Sequence, residues 1–311
     1  MCYSVGKHRK IKAVDKVNLE VGVGESWALI GESGCGKSTF AHSILRLLPS
    51  NAKITEGCII FKGNVDLTKV EEDFLRNIRF RNISIIFQAS MNMLDPVMKI
   101  EDQIAELLVL HGKVESHKDA VREAQNLLEL VGIPSHKGRN YPHQLSGGQK
   151  QRVSIAMAIA LEPDLIIADE PFTALDVMLQ AQLIELLKEI REKINNSLLF
   201  ITHDIHIVRE ICENIAIMYA GKIVEYGGLD KLIDSAMHPY TVALFDSAPD
   251  ITGTIKPKSI PGYPPDLSNP PSGCRFHPRC PYRFERCKKE EPILLKLGEN
   301  HYGACFLVEK K

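Results

Sequence analysis

An α/β fold, a sheet layered with helices, is predicted by three features of the sequence. Short apolar runs alternate with longer amphipathic stretches over the first two thirds of the chain. A glycine-rich turn beginning at Gly31 joins one apolar run to a helical segment. Gln88 and His203 each follow an apolar run, and open parallel sheets gather functional groups beyond the carboxyl ends of their strands. The 311 residues are 44% hydrophobic and 25% charged, ordinary for a soluble globular chain with a buried core. With 38 basic and 39 acidic residues the formal charge is −1, which lacks the basic footprint of a nucleic-acid binder.

In chain order, 17–23 and 27–30 read as strands, and 37–48 reads as a helix ended by Pro49. Segments 58–61 and 84–87 are strand-like. From 100 to 131 the pattern is helical and highly charged, as in an inserted helical subdomain. A short buried strand follows at 165–168. Leu179, Leu183, Leu186, Ile190 and Ile194 then recur at three- and four-residue steps, the mark of a helix face on a core. A strand at 198–201 precedes a hairpin of 215–219 and 222–225 around Ala220 and Gly221. Beyond residue 248, Pro249, Pro257, Pro261, Pro264, Pro265, Pro270 and Pro271 predict an extended linker.

No run approaches the roughly 20 mostly apolar residues that span a bilayer. The polar, basic N-terminal residues have no apolar stretch behind them, so no secretory signal is read and the chain is expected to stay inside the cell. There the eight cysteines are expected as thiols or metal ligands rather than disulfides.

Gly31, Ser33, Gly34, Cys35, Gly36, Lys37, Ser38 and Thr39 lie in a complete P-loop pattern, G-x-x-x-x-G-K-[ST]. Its glycines let backbone N–H groups turn toward phosphate oxygens, and the helix behind it aims its positive end at the same place. Lys37 is expected to neutralise the β- and γ-phosphates of ATP and Ser38 to ligate Mg²⁺. The apolar run before Asp169 and Glu170 delivers two carboxylates that are costly to bury without a cation or partner. Asp169 suits the Mg²⁺, and Glu170 suits a general base on the attacking water. Leu145, Ser146, Gly147, Gly148 and Gln149 precede an apolar helix. A capping box accounts for Ser146 and Gln149. It leaves unexplained two glycines in a first turn, where they weaken a helix unless a phosphate docks on the bare backbone.

In order and spacing, the P-loop, Gln88, the Leu145 to Gln149 signature, Asp169 with Glu170, Ala174-Leu175-Asp176 and His203 resemble the ATP-binding cassette (ABC) ATPases. The resemblance spans most of residues 17–225. It implies an α/β P-loop ABC ATPase core with a helical subdomain and a small cysteine-bearing C-terminal extension. It also implies two cassettes sandwiching ATP. Ser146, Gly147, Gly148 and Gln149 would then meet nucleotide held by the partner cassette, with Asp176 at the dimer interface and His203 at the γ-phosphate. Gln88 would sense Mg²⁺ and the attacking water and link the site to a membrane partner. The family stacks adenine on an aromatic residue upstream of the P-loop. Tyr3, the only aromatic residue before Trp27, is the candidate, although the family's usual preceding strand is not read here.

Closer similarity is carried by Tyr141-Pro142-His143-Gln144, the run from Ala174 to Gln182, His238-Pro239-Tyr240-Thr241, Ile260-Pro261-Gly262-Tyr263, and Cys274-Arg275-Phe276-His277-Pro278-Arg279-Cys280. These look like ATPase subunits of bacterial and archaeal oligopeptide/dipeptide importers. The implied partners are a second ATPase subunit, different or identical, two transmembrane permeases and an extracytoplasmic substrate-binding protein. The implied place is the inner face of the cell membrane. Nickel import is the alternative cargo, and a non-transport ABC protein acting on nucleic acid or ribosomes the alternative class. Phe172 departs from the family's small polar residue.

The expected organisation is a nucleotide-binding core of 1–88 and 161–230, a helical subdomain of 89–160, a linker of 231–273 and a cysteine-rich module of 274–311. In that module Cys274, Cys280, Cys287 and Cys305 suit tetrahedral Zn²⁺ or a [4Fe–4S] cluster. Resemblance to importer ATPases that carry such a cluster favours iron–sulfur.

Overall fold

The computed structural model describes residues 1–5, 9–88, 93–173, 175–247 and 259–310. Ala174, Pro249 and Pro257 of the sequence reading lie outside them. Two compact units result: residues 1–21, 26–69 and 201–311 form the first, and residues 22–25 and 70–200 the second.

In the first unit, every residue of the strands Ser26–Ile30 and Asn214–Tyr219 is buried, as near-continuous apolar runs predict for strands covered on both faces. They pair in parallel, with Ala28 opposite Ile215. Asn214–Tyr219 turns back antiparallel into Lys222–Gly228, the hairpin expected from the sequence. Its two turn residues, Ala220 at φ 47° and Gly221 at φ 85°, both take the left-handed conformation that matches the twist of the strands. His301–Gly303 pairs along Lys222–Gly228, and Leu295–Gly298 pairs with His301–Gly303. The C-terminal residues are thus built into the sheet of this unit.

The helix Lys37–Ile44 is shorter than expected. Arg46 at φ 53° stops it before Pro49, and the N–H groups of Arg46 and Leu47 donate to Ser43 O and His42 O at 3.1 and 2.8 Å. That is a Schellman closure without its usual glycine. Cys2–Val5 lies between Arg9–Lys12 and Ala52–Lys53 in a small antiparallel sheet that sequence reading misses. Arg9–Lys12 is mostly exposed and shows no apolar alternation to signal a strand. Residues 17–23 carry no strand; Gly22 and Gly24, the latter at φ 74°, end the run in a turn. Residues expected to open the linker instead form the helices Leu229–Ser235 and Pro239–Asp246. The second is started by a His238 side-chain cap and a proline whose φ is preset for the first turn.

In the second unit, Ile83–Ile86 pairs in parallel with Leu165–Asp169. The charged stretch forms two helices, Ile100–Leu110 and His117–Leu130, with Gly112 at φ 65° between them. Ser116 caps the second, accepting from Asp119 N at 3.1 Å. Val177–Ile194 buries Leu183, Leu186, Leu187 and Ile190 and ends at Asn195 in the left-handed conformation that asparagine tolerates. Ser197–Thr202 is a fully buried strand. Among the described residues no helix is long and apolar enough to cross a membrane.

Candidate nucleotide-hydrolysing site

The phosphate loop leaves Ser26–Ile30 and enters Lys37–Ile44. Gly31 at φ 156° and Gly36 at φ 111° sit where a side chain has no room. A Cβ on Gly31 would lie 2.1 Å from Met218 O, and one on Gly36 2.1 Å from Ala13 O. Gly36 is also the residue before the helix and supplies no side-chain cap to the first turn, whose N–H groups point toward the loop. Lys37 is buried and curls over the loop, its Nζ donating to Gly31 O at 2.7 Å and Glu32 O at 3.1 Å. Burial pushes the Cys35 thiol up despite the nearby Lys37. Ser33 and Gly34 are exposed at the tip, while Ser38 and Thr39 occupy the first helical turn. The Tyr3 and Thr39 hydroxyls share a hydrogen bond of 2.9 Å, which fixes the expected adenine-stacking phenol beside the loop. His203, exposed, stands just past the strand Ser197–Thr202.

The loop is also braced by residues that sequence reading did not single out. Tyr240, fully buried, accepts the Glu32 N–H at 3.0 Å. Arg279 grips the Glu32 carboxylate with two bonds, Nη1 to Oε2 at 2.6 Å and Nη2 to Oε1 at 3.0 Å. Burial opposes the Arg279 charge, but the Glu32 carboxylate and the Tyr219 hydroxyl outweigh it and hold the guanidinium pKa above its ordinary value. The only sequence signal was that Tyr240 and Arg279 fall within motifs of the C-terminal resemblance.

The second unit brings together Gln88 and Glu170: the Gln88 amide donates to Glu170 Oε2 at 3.1 Å. The same oxygen accepts from the Thr173 hydroxyl at 3.1 Å. Glu170 sits at φ 45°, a strained position for a residue with a side chain, directly after buried Asp169 at the end of its strand. Phe172, the departure noted in the sequence, is buried with its ring 5.6 Å from that of Phe200. Ser146 and Gln149 form the capping box of Gly147–Ile159, with Gln149 N donating to Ser146 Oγ at 3.3 Å. A Cβ on Gly148 would lie 2.4 Å from the Leu179 side chain, which explains one of the paired glycines by packing alone. Asp176 caps Val177–Ile194, accepting from Leu179 N at 3.0 Å, and is exposed beside the exposed side chains of Val177 and Met178.

Cys274, Cys280, Cys287 and Cys305 line one cavity with His238 and Phe276. Burial first, and the neighbouring thiols, push Cys274 up to about 12 and Cys305 up to about 11. Metal or cluster binding at these thiols requires their deprotonation. Among the described residues no group of three or more His, Cys, Asp or Glu side chains is set to hold a metal ion. The expected ligand set is therefore converged but not assembled.

A glycine cradle after a parallel strand, a lysine folded over it and a helix that starts at the loop without a side-chain cap define the protein class as a P-loop ATPase. Residues 14–173 match the ABC transporter family, and residues 224–287 match the C-terminal region of oligopeptide/dipeptide transporters. The chain belongs to the ABC transporter family and is one of its ATP-hydrolysing members. The dipeptide transport ATP-binding protein DppD of Bacillus subtilis is 44% identical over 307 residues, covering 97% of this chain and 90% of its own. The oligopeptide transport ATP-binding protein OppD of the same organism is 43% identical, covering 96% and 84%. An ATP-binding cassette solved as a dimer in a post-hydrolysis state, with ADP and Pi bound, superposes with a TM-score of 0.65 at 31% identity. That match covers 73% of this chain and 95% of the solved one.

Proposed function

We propose that this chain hydrolyses ATP to energise import of dipeptides or oligopeptides through separate membrane permeases, from the inner face of the membrane. The observation that carries the reading is the glycine cradle closed over by Lys37, on a chain similar along nearly its whole length to dipeptide and oligopeptide transport proteins. In this reading Lys37 neutralises phosphate charge, and Ser38, Asp169 and Gln88 hold Mg²⁺, which when bound shields charge on the phosphate oxygens. Glu170 takes the proton of the attacking water, and the Gln88 amide orients its carboxylate. His203 meets the γ-phosphate. Ser146, Gly147, Gly148 and Gln149 serve the nucleotide of a partner cassette across an interface that includes Asp176. Tyr3 stacks on adenine. The proposed organisation keeps 1–88 and 161–230 as nucleotide-binding core and 89–160 as helical subdomain.

The partner cassette is a second ATPase subunit, and the different-subunit arrangement is the one proposed. The four tail cysteines are proposed to hold a [4Fe–4S] cluster, with Zn²⁺ as the alternative; their convergence on one cavity supports this. Loading must strip protons from buried thiols, so it releases acid and is favoured at higher pH. Its role is structural.

Copurification with polytopic permeases and a peptide-binding protein, and ATPase activity stimulated by peptide in the assembled complex, would bear out the import reading. Stimulation by nickel instead, or copurification with ribosomes or nucleic acid, would overturn it. Iron and zinc content of anaerobically purified protein decides the tail: neither metal removes the cysteine proposal.

A further inference from the structure

The segment bearing the tail cysteines reaches the phosphate loop of its own unit through an arginine beside Cys280. Arg279 is only 8% exposed. Its Nε donates to Pro261 O at 2.8 Å, and its guanidinium carbon lies 5.8 Å from the Tyr219 ring and 6.0 Å from the Phe276 ring. With those contacts fixing the head group, both remaining arms address one carboxylate, that of Glu32. Bidentate pairing of this kind sets geometry as well as charge.

Glu32 is held at every polar group it has. Its N–H goes to Tyr240, its carboxylate to Arg279, and its carbonyl accepts from Lys37, the amine that must neutralise phosphate. A second tie runs in parallel. Arg275, next to Cys274, binds Ala220 O and Asp15, and the following Gly221 N–H donates to Cys35 O in the loop at 2.8 Å. Glu32 also places a negative charge in a loop built to receive a polyanion, where like charges repel unless one is paired.

We propose that Arg279 is a positioning residue for ATP binding and hydrolysis: it fixes and neutralises Glu32, making the C-terminal extension a working part of the phosphate loop. The proposal rests on the reading that this loop binds ATP. Removing the arginine both frees the loop and exposes the carboxylate to the phosphates. Removing the carboxylate frees the loop but takes the repulsion away with it.

The test is ATP affinity, KM and kcat of the full-length chain as wild type, Arg279→Gln, Arg279→Lys, Glu32→Gln and the Arg279→Gln/Glu32→Gln double variant, each with a melting curve. Arg279→Gln is expected to weaken ATP binding by roughly 2- to 30-fold, the range for a residue acting through a packed network, with KM raised more than kcat is lowered. Glu32→Gln should weaken it less, and the double variant should match Glu32→Gln rather than add the two losses. Arg279→Lys, which keeps charge but not the fork, should fall between Arg279→Gln and wild type. Lower melting temperature with unchanged ATP affinity in Arg279→Gln would reduce the arginine to a fastener and overturn the proposal, as would additive losses. Should Arg279→Gln not fold, unchanged affinity in Glu32→Gln overturns it equally. Wild-type protein that binds no ATP defeats the nucleotide reading itself, a different failure from either.

Discussion

The Gln88 amide donates to the Glu170 carboxylate across 3.1 Å, joining residues 82 positions apart at the ends of two paired strands. With the Thr173 hydroxyl on the same oxygen, the bond orients the carboxylate. Glu170→Gln removes the proposed base but can keep a hydrogen bond to Gln88. Turnover is expected to fall by about 10²–10⁴, the usual share of general base catalysis, with ATP still bound. Single-turnover hydrolysis at a near-normal rate in this variant would remove Glu170 from the role.

Gly36→Ala meets two obstacles at once, a φ of 111° and the Ala13 carbonyl at 2.1 Å from the new Cβ. Backbone of that kind costs about 1–3 kcal/mol when forced. The loop is expected to shift, with both ATP affinity and melting temperature lowered. Equilibrium nucleotide titration beside a thermal melt checks it; an unperturbed affinity would mean that the loop does not grip phosphate through its backbone.

Ser146 caps a helix and is proposed to serve a partner's nucleotide, and one substitution separates the two. As the cap of Gly147–Ile159 it accepts the Gln149 N–H, and Ser146→Ala should cost about 1 kcal/mol in chemical denaturation. If the helix tip also serves a partner's nucleotide, ATP-dependent association of the Glu170→Gln protein will be lost as well. Sizing with and without ATP distinguishes the cap from the contact.

Arg46 closes its helix in the left-handed conformation at φ 53°. Left-handed backbone costs a residue with a Cβ roughly 1–2 kcal/mol, and glycine little. Arg46→Gly is therefore expected to raise stability by about 1 kcal/mol with ATP turnover unchanged. A fall in the denaturation midpoint would show that the side chain contributes more than its backbone costs.

The parts of the site legible in the sequence are those that one short segment determines. The P-loop glycines, the capping box at Ser146 and the hairpin at Ala220 and Gly221 each encode their geometry within a few residues. Arg279 and Glu32 lie 247 residues apart, and neither residue type nor spacing announces their pairing. The helices Leu229–Ser235 and Pro239–Asp246 were obscured by the proline-rich composition that begins just beyond them, although Pro239 at a first turn starts a helix. The sequence places the four cysteines in one segment, but the cavity they line with Phe276 and His238 is formed only by the folded tail. The Gly148 packing against Leu179 was equally hidden, since phosphate docking and close packing ask for the same residue.

Lys222–Gly228 is a seven-residue strand in which Ile223, Val224, Glu225 and Gly227 are buried, and His301–Gly303 lies along it for part of its length. Without that short segment, a row of backbone donors and acceptors would stand open to any passing extended chain. The segment His301–Gly303 thereby guards that rim: a molecule clipped between Gly298 and His301 would keep Arg279 on its nucleotide loop yet present a sticky edge to its neighbours.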